Sequence, residues 1–159
     1  MAGDDLLVIK HIKCNIFESG ADVICHQVNC QGVMGSGIAK QVKERYPVVY
    51  KRYKIVCDCD THPLGNVLFV PVDNNKDIAN LFSQDKYGYN GSLYTDYNAL
   101  KNCLVEIYNT YINTNKTIAF PYLMSCARGG GDWNVVYKMI EDMFKDYDGD
   151  ILICEYDGE

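Results

Sequence analysis

Apolar positions along the chain follow two alternating rhythms. Short, nearly continuous runs of strand length occur at Leu6 to Ile12, Val23 to Val28, Val67 to Pro71, Ile78 to Phe82, Thr117 to Pro121 and Asp150 to Tyr156. Between them the spacing changes to that of a helix face. Ile38, Ala39, Val42 and Tyr46 share one face of a helix that stops before Pro47, and the tyrosine-rich stretch Val48 to Cys59 predicts a further helical turn or two. Tyr97, Leu100, Leu104, Ile107, Tyr108 and Tyr111 form the face of a later helix with Thr95 as its N-cap. Val135, Val136, Met139, Ile140, Met143 and Phe144 form that of a last one, capped by Asp132 and closed by Asp148-Gly149. The turn-like Asp73 to Lys76 makes a hairpin of the runs on either side of it. Strands alternating with helices predict an α/β fold of three layers, α/β/α, around a mixed, mostly parallel central sheet of about six strands.

One connection carries chemistry. After the run Val23 to Val28, the loop Asn29 to Gly37 holds Gly32, Gly35 and Gly37 and leads straight into a helix. Glycines let a backbone approach a ligand, and the free N–H groups and positive dipole end of a helix start favour a phosphate. No Gly-Lys-Ser/Thr closes the loop and its spacing is not G-x-G-x-x-G, so neither standard nucleotide fingerprint is present. A tight connection without a ligand is the plain alternative.

Length, charge and cysteines narrow the class. The 159 residues, with no internal repeat, linker or low-complexity segment, are expected to form one domain over residues 1–159 that buries about two thirds of its unfolded surface. A net charge of −6 argues against general nucleic-acid binding by phosphate neutralisation, although a few placed backbone donors suffice for a nucleotide. No apolar run reaches the length of a membrane span, and Met1 to Asp5 is acidic rather than signal-like. The expectation is a monomer inside the cell, cytoplasmic or nuclear, with no membrane partner. Of the eight cysteines, Cys25, Cys103 and Cys154 lie in apolar runs, and Cys57 and Cys59 have only His62 nearby. All eight read as reduced thiols, and no metal or cofactor is called for.

The run Asn29-Cys30-Gln31-Gly32-Val33-Met34-Gly35-Ser36-Gly37-Ile38-Ala39, followed by Tyr46-Pro47, resembles the first ligand loop of macrodomains, the ADP-ribose-binding α/β/α modules. About ninety residues later, Pro121-Tyr122-Leu123-Met124-Ser125-Cys126-Ala127-Arg128-Gly129-Gly130-Gly131-Asp132-Trp133 resembles their later phosphate loop. The resemblance covers nearly the whole chain. It is strongest to the branch with ADP-ribose-1''-phosphate phosphatases and terminal ADP-ribose protein glycohydrolases. It implies ADP-ribose, or an ADP-ribosylated substrate, as partner. It also implies ligand contacts from Asn15 and Ile16 near the adenine, from Asn29, Gly32, Met34, Gly35, Ser36, Gly37, Ile38 and Ala39 in the first loop, from Gln84, and from Ser125, Cys126, Ala127, Arg128, Gly129, Gly130 and Trp133 in the second.

Catalytic candidates divide by branch. His26 matches a histidine proposed to act in the yeast-type phosphatase, and a histidine near its ordinary pKa is a natural acid or base at neutral pH. The alternative is a histidine hydrogen-bonded within the core. Asn29 matches the asparagine that holds the distal ribose. Where the glycohydrolases carry an attacking lysine and its partner aspartate, this chain has Gln84 and Gly129. Lys86 and Asp132 are the only nearby substitutes, and Asp132 is more simply a helix cap. Arg128, at a position usually aliphatic in the family, could clamp a pyrophosphate or terminal phosphate or could be a solvated surface arginine. Tyr87 and Tyr89, in the aliphatic-poor loop Ser83 to Ser92, could cover a nucleotide. Two classes of function remain: a hydrolase of an ADP-ribose derivative, and a non-catalytic module that reads or sequesters such nucleotides.

Overall fold

The computed structural model describes residues 9–59 and 62–156. Six strands, β1 (Ile9–Lys13), β2 (Val23–Val28), β3 (Val67–Val72), β4 (Lys76–Phe82), β5 (Ile118–Pro121) and β6 (Ile151–Glu155), form one sheet in the order β1-β6-β5-β2-β4-β3. Only the β3–β4 hairpin pair is antiparallel. Helices α1 (Gly37–Arg45) and α2 (Pro47–Asp58) cover one face, and α3 (Tyr97–Tyr111) and α4 (Trp133–Phe144) the other. The α/β expectation holds, as does the mostly parallel sheet.

Central parallel strands are buried on both faces, so they read as apolar runs rather than alternations. β2 is buried along almost its whole length, with Ile24 and Val28 in the core under α1 and α2 and Val23 and Cys25 in the core under α3 and α4. The same period of two sends its polar pair apart: His26 faces the α1–α2 side and Gln27 the α3–α4 side. β6, expected to alternate, is buried from Ile151 to Cys154, because β1 and β5 flank it and helices cover it above and below. β1 begins at Ile9, and Leu6 to Val8 of the expected strand lie outside the described residues. Pro71 falls in β3, an edge strand, where its missing N–H breaks no ladder.

The helix boundary at Pro47 is as expected. Tyr46 sits at φ −134°, ψ 76°, because the residue before proline is excluded from the helical region, and Pro47 then starts α2. α2 runs for 12 residues rather than a turn or two. Its buried Val49 and Tyr53, one turn apart, are masked in the sequence by Lys51, Arg52 and Lys54. The α3 cap is Asp96, whose carboxylate accepts from Ala99 N at 3.0 Å, rather than Thr95. The Thr95 hydroxyl is buried and donates instead to Ser125 O at 2.8 Å. No helix among the described residues is long and apolar enough to cross a membrane.

Candidate functional site

All the parallel strands point their carboxyl ends to one edge, and the chain moves from β2 to β4 on one side and to β5 on the other. Such a switch point leaves a crevice beyond the strand ends. There the structure has a cavity of about 390 Å³. Five connections line it: Asn15 and Ile16 after β1, residues from His26 to Gln41 around β2 and the start of α1, Gln84 and Tyr87 to Tyr89 after β4, Pro121 to Gly129 after β5, and Cys154 with Tyr156 at β6.

The first glycine loop is held by Asn29. Its Oδ1 accepts from Gln31 N at 2.9 Å and its Nδ2 donates to Val33 O at 2.8 Å. The Tyr53 hydroxyl, buried under α2, lies 2.8 Å from both Oδ1 and Asn29 O. One amide proton of Asn29 is thus left without a partner, since the rest of the side chain shapes the loop. Beyond it, Ser36 is the N-cap of α1 and its side chain makes no capping bond, so Gly37, Ile38 and Ala39 bring uncapped N–H groups to the cavity wall. By contrast Asp96 and Asp132 cap α3 and α4. Gly37 has φ +59° with open space around its missing side chain.

His26 is buried in the cavity wall with Nε2 2.6 Å from Asn80 Oδ1. Asn80 Nδ2 donates to Leu68 O at 2.9 Å, which fixes its Oδ1 toward the ring and makes Nε2 the protonated nitrogen. Nδ1 is therefore a bare lone pair, buried and without a partner among the described residues. Burial drives the His26 pKa down from 6.5 to about 4, opposed by the bond to Asn80. At neutral pH the ring is an uncharged acceptor rather than a proton reservoir. The bond to Asn80 is that of the core-bonded reading of His26, and the ring also lines the cavity.

Gln27, not singled out in the sequence, organises the opposite wall. Its Oε1 accepts from Ser83 Oγ and Ser125 Oγ, each at 2.6 Å; its Nε2 donates to Gln84 Oε1 at 2.6 Å and Thr95 Oγ1 at 3.1 Å. All four capacities of the amide are used. Gly129 packs onto this cluster, and its carbonyl accepts from Tyr94 N at 2.8 Å and Thr95 N at 3.0 Å. The available signal was two polar residues ending a buried strand. Which partners they meet was not readable, because Ser83, Thr95 and Ser125 come from distant loops.

Several residues named from the sequence stand away from the cavity. Lys86 is exposed and outside the lining; Gln84, by contrast, lines the cavity, with its Oε1 accepting from Gln27 Nε2 and its Nε2 donating to Lys86 O at 2.8 Å. Asp132 accepts from Asn134 N at 2.9 Å as the α4 cap, and Trp133 packs edge-on against Tyr122 at 5.4 Å between ring centres. Met34 is buried in the α1–α2 core. Gly32, at φ +79°, turns toward the Lys54 side chain, and Gly130, at φ +72°, packs against Ser92 O. Cys126 packs on the α3–α4 core, where burial pushes its thiol up to about 11. Asn15, Ile16, Gly35, Ser36, Ala127 and Arg128 line the cavity. Asn15 Oδ1 already accepts from Phe17 N at 3.0 Å, which leaves it one lone pair and its amide donors. Arg128 lies over the ring of Tyr89, 4.3 Å from its centre.

A six-stranded mixed sheet between two helix pairs, with its crevice at the carboxyl ends of the parallel strands, is the macrodomain fold. The chain superposes on the macrodomain of Mycobacterium tuberculosis DarG with a TM-score of 0.81 and 24% identity over 93% of this chain and 97% of that one. In sequence it is 37% identical over 73 residues to an ADP-ribose 1''-phosphate phosphatase of Saccharomyces cerevisiae, covering 44% of this chain and 41% of the relative. It is 27% identical over 143 residues to a DNA ADP-ribosyl glycohydrolase of Mycobacterium tuberculosis, covering 87% of this chain and 39% of the relative. The chain spans about two fifths of the length of these curated relatives. No family profile matches it.

Proposed function

We propose that the chain, acting as a single monomeric domain, binds ADP-ribose in this cavity and hydrolyses an ADP-ribose derivative. The reaction is dephosphorylation of ADP-ribose-1''-phosphate or release of ADP-ribose from a modified molecule. One observation carries the reading: two glycine loops far apart in sequence line one cavity, and no carboxylate among the described residues lines it. The uncapped start of α1 supplies backbone donors for a phosphate, and Asn15 supplies amide donors and an acceptor at the far end. His26, neutral and with its unpartnered Nδ1 buried in the cavity wall, is the group that positions the reacting end of the ligand. With its pKa near 4 it contributes orientation more than proton uptake. Similarity to proteins named for both reactions supports the hydrolase class.

A binding-only module is the second reading, favoured by the position of Lys86 and Asp132 outside the cavity and by Gln84, an amide with no nucleophilic group, at the cavity wall. Calorimetric titration with ADP-ribose, run beside phosphate release from ADP-ribose-1''-phosphate and ADP-ribose release from modified protein and nucleic acid, separates them. Turnover that His26→Ala abolishes while ADP-ribose affinity persists supports the hydrolase. Binding with no turnover of any substrate leaves the module, and a protein that does not bind ADP-ribose overturns both.

A further inference from the structure

Among the described residues, Arg128 is the only charged side chain that lines the cavity: no Asp, Glu or Lys of these residues does, and the one histidine there is neutral. In a chain of net charge −6, that leaves one cation in a lining whose other described residues are uncharged. No carboxylate among the described residues pairs with it. Its guanidinium instead rests on the face of Tyr89, 4.3 Å from the ring centre. Stacking occupies the flat face of a guanidinium and leaves its in-plane N–H donors free, the edge that fits two phosphate oxygens. The two segments that carry the pair are fastened to each other beside it. Tyr94 N and Thr95 N donate to Gly129 O, and Tyr94 Oη donates to Asn90 Oδ1 at 2.9 Å. The arginine is therefore presented on a braced platform, with less side-chain freedom to lose on binding.

We propose that Arg128, positioned by the ring of Tyr89, is the residue that selects for a ligand phosphate in this cavity. The proposal rests on the ADP-ribose reading and adds a specificity determinant to it. The shared chemistry is a phosphate group, and its source is either the diphosphate of the nucleotide or a terminal phosphate on the distal ribose. Tyr89 is a positioning residue: it acts through the arginine, and its ring rather than its hydroxyl does so.

Wild type, Arg128→Gln, Tyr89→Phe and Tyr89→Ala are titrated calorimetrically with ADP-ribose and with ADP-ribose-1''-phosphate, each at low and at physiological salt. Arg128→Gln is expected to weaken binding roughly tenfold, the loss typical of one charge-assisted pair, and to flatten the salt dependence. An equal loss for both ligands assigns the diphosphate; a loss confined to ADP-ribose-1''-phosphate assigns the terminal phosphate. Tyr89→Phe keeps wild-type affinity, and Tyr89→Ala loses about threefold, with the salt dependence reduced as well. Arg128→Gln binding both ligands within twofold of wild type, with unchanged salt dependence, overturns the proposal and leaves the ADP-ribose reading standing. A wild type that binds neither ligand overturns both.

Discussion

Gly129→Ala tests whether the second loop sits where the Gln27 cluster puts it. A Cβ on Gly129 would meet the Thr95 hydroxyl oxygen, come within 2.5 Å of Ser125 O and lie 2.7 Å from Gln27 Nε2. Ordinary contact begins at 3.4 Å, so the last two distances fall short by roughly 0.9 and 0.7 Å. None of the three partners is free to yield. Thr95 Oγ1 donates to Ser125 O, which also accepts from Gly131 N at 2.9 Å, and the Gln27 amide is saturated. Overpacking costs about 1–3 kcal/mol, and shifting the cluster sacrifices about two hydrogen bonds worth about 1 kcal/mol each, for a total of about 3–5 kcal/mol. In a domain of this size that lowers Tm by about 10 °C. ADP-ribose affinity should fall at least tenfold, because the wall that carries Ala127 and Arg128 is lifted. Gly91→Ala is the control. Its φ is +80° in open space outside the cavity, so it costs about 1 kcal/mol of backbone strain and leaves affinity intact. Urea and thermal unfolding with calorimetric titration report both quantities. A Gly129→Ala protein that melts within 2 °C of wild type and binds equally well would refute the geometry.

Other predictions follow from the same structure. His26 has a folded pKa of about 4 against 6.5 unfolded, so as pH falls the unfolded chain takes the proton first. Its share of stability, about 3 kcal/mol, is complete above pH 6.5 and lost between 6.5 and 4. Urea midpoints measured across that window should slope less for His26→Gln, and parallel slopes would contradict the buried neutral ring. Lys86→Ala should leave turnover unchanged, and Asp132→Ala should cost about 1 kcal/mol in unfolding free energy without changing kcat, as a lost helix cap does. A drop in kcat of a hundredfold in either would restore the lysine–aspartate mechanism. Tyr53→Phe removes the hydroxyl that braces Asn29 and should cost about 1–2 kcal/mol, with a several-fold loss of ADP-ribose affinity; undiminished stability would show the brace to be idle.

The alternation of buried runs and helical faces determined the layers, because burial on both faces of a parallel strand and on one face of a helix leaves a one-dimensional trace. The break at Pro47 and the cap at Asp132 were equally legible, since both are set by atoms within a turn of the residue. So was the pairing of two glycine loops, through their resemblance to a known module. Three things were decided only by tertiary structure. His26 and Gln27 are neighbours in sequence, yet one became a desolvated neutral acceptor bonded to Asn80 and the other a saturated clamp on Ser83, Gln84, Thr95 and Ser125. Met34, Cys126 and Trp133 lie inside the two loop motifs but point away from the cavity, because a loop that encloses a ligand also needs side chains to anchor it behind. Arg128 reads from the sequence as either a clamp or a solvated arginine, and Tyr89, 39 residues earlier, supplies the surface it rests on. Hydrogen-bond saturation, desolvation and stacking depend on partners brought from elsewhere in the chain, and no local pattern encodes them.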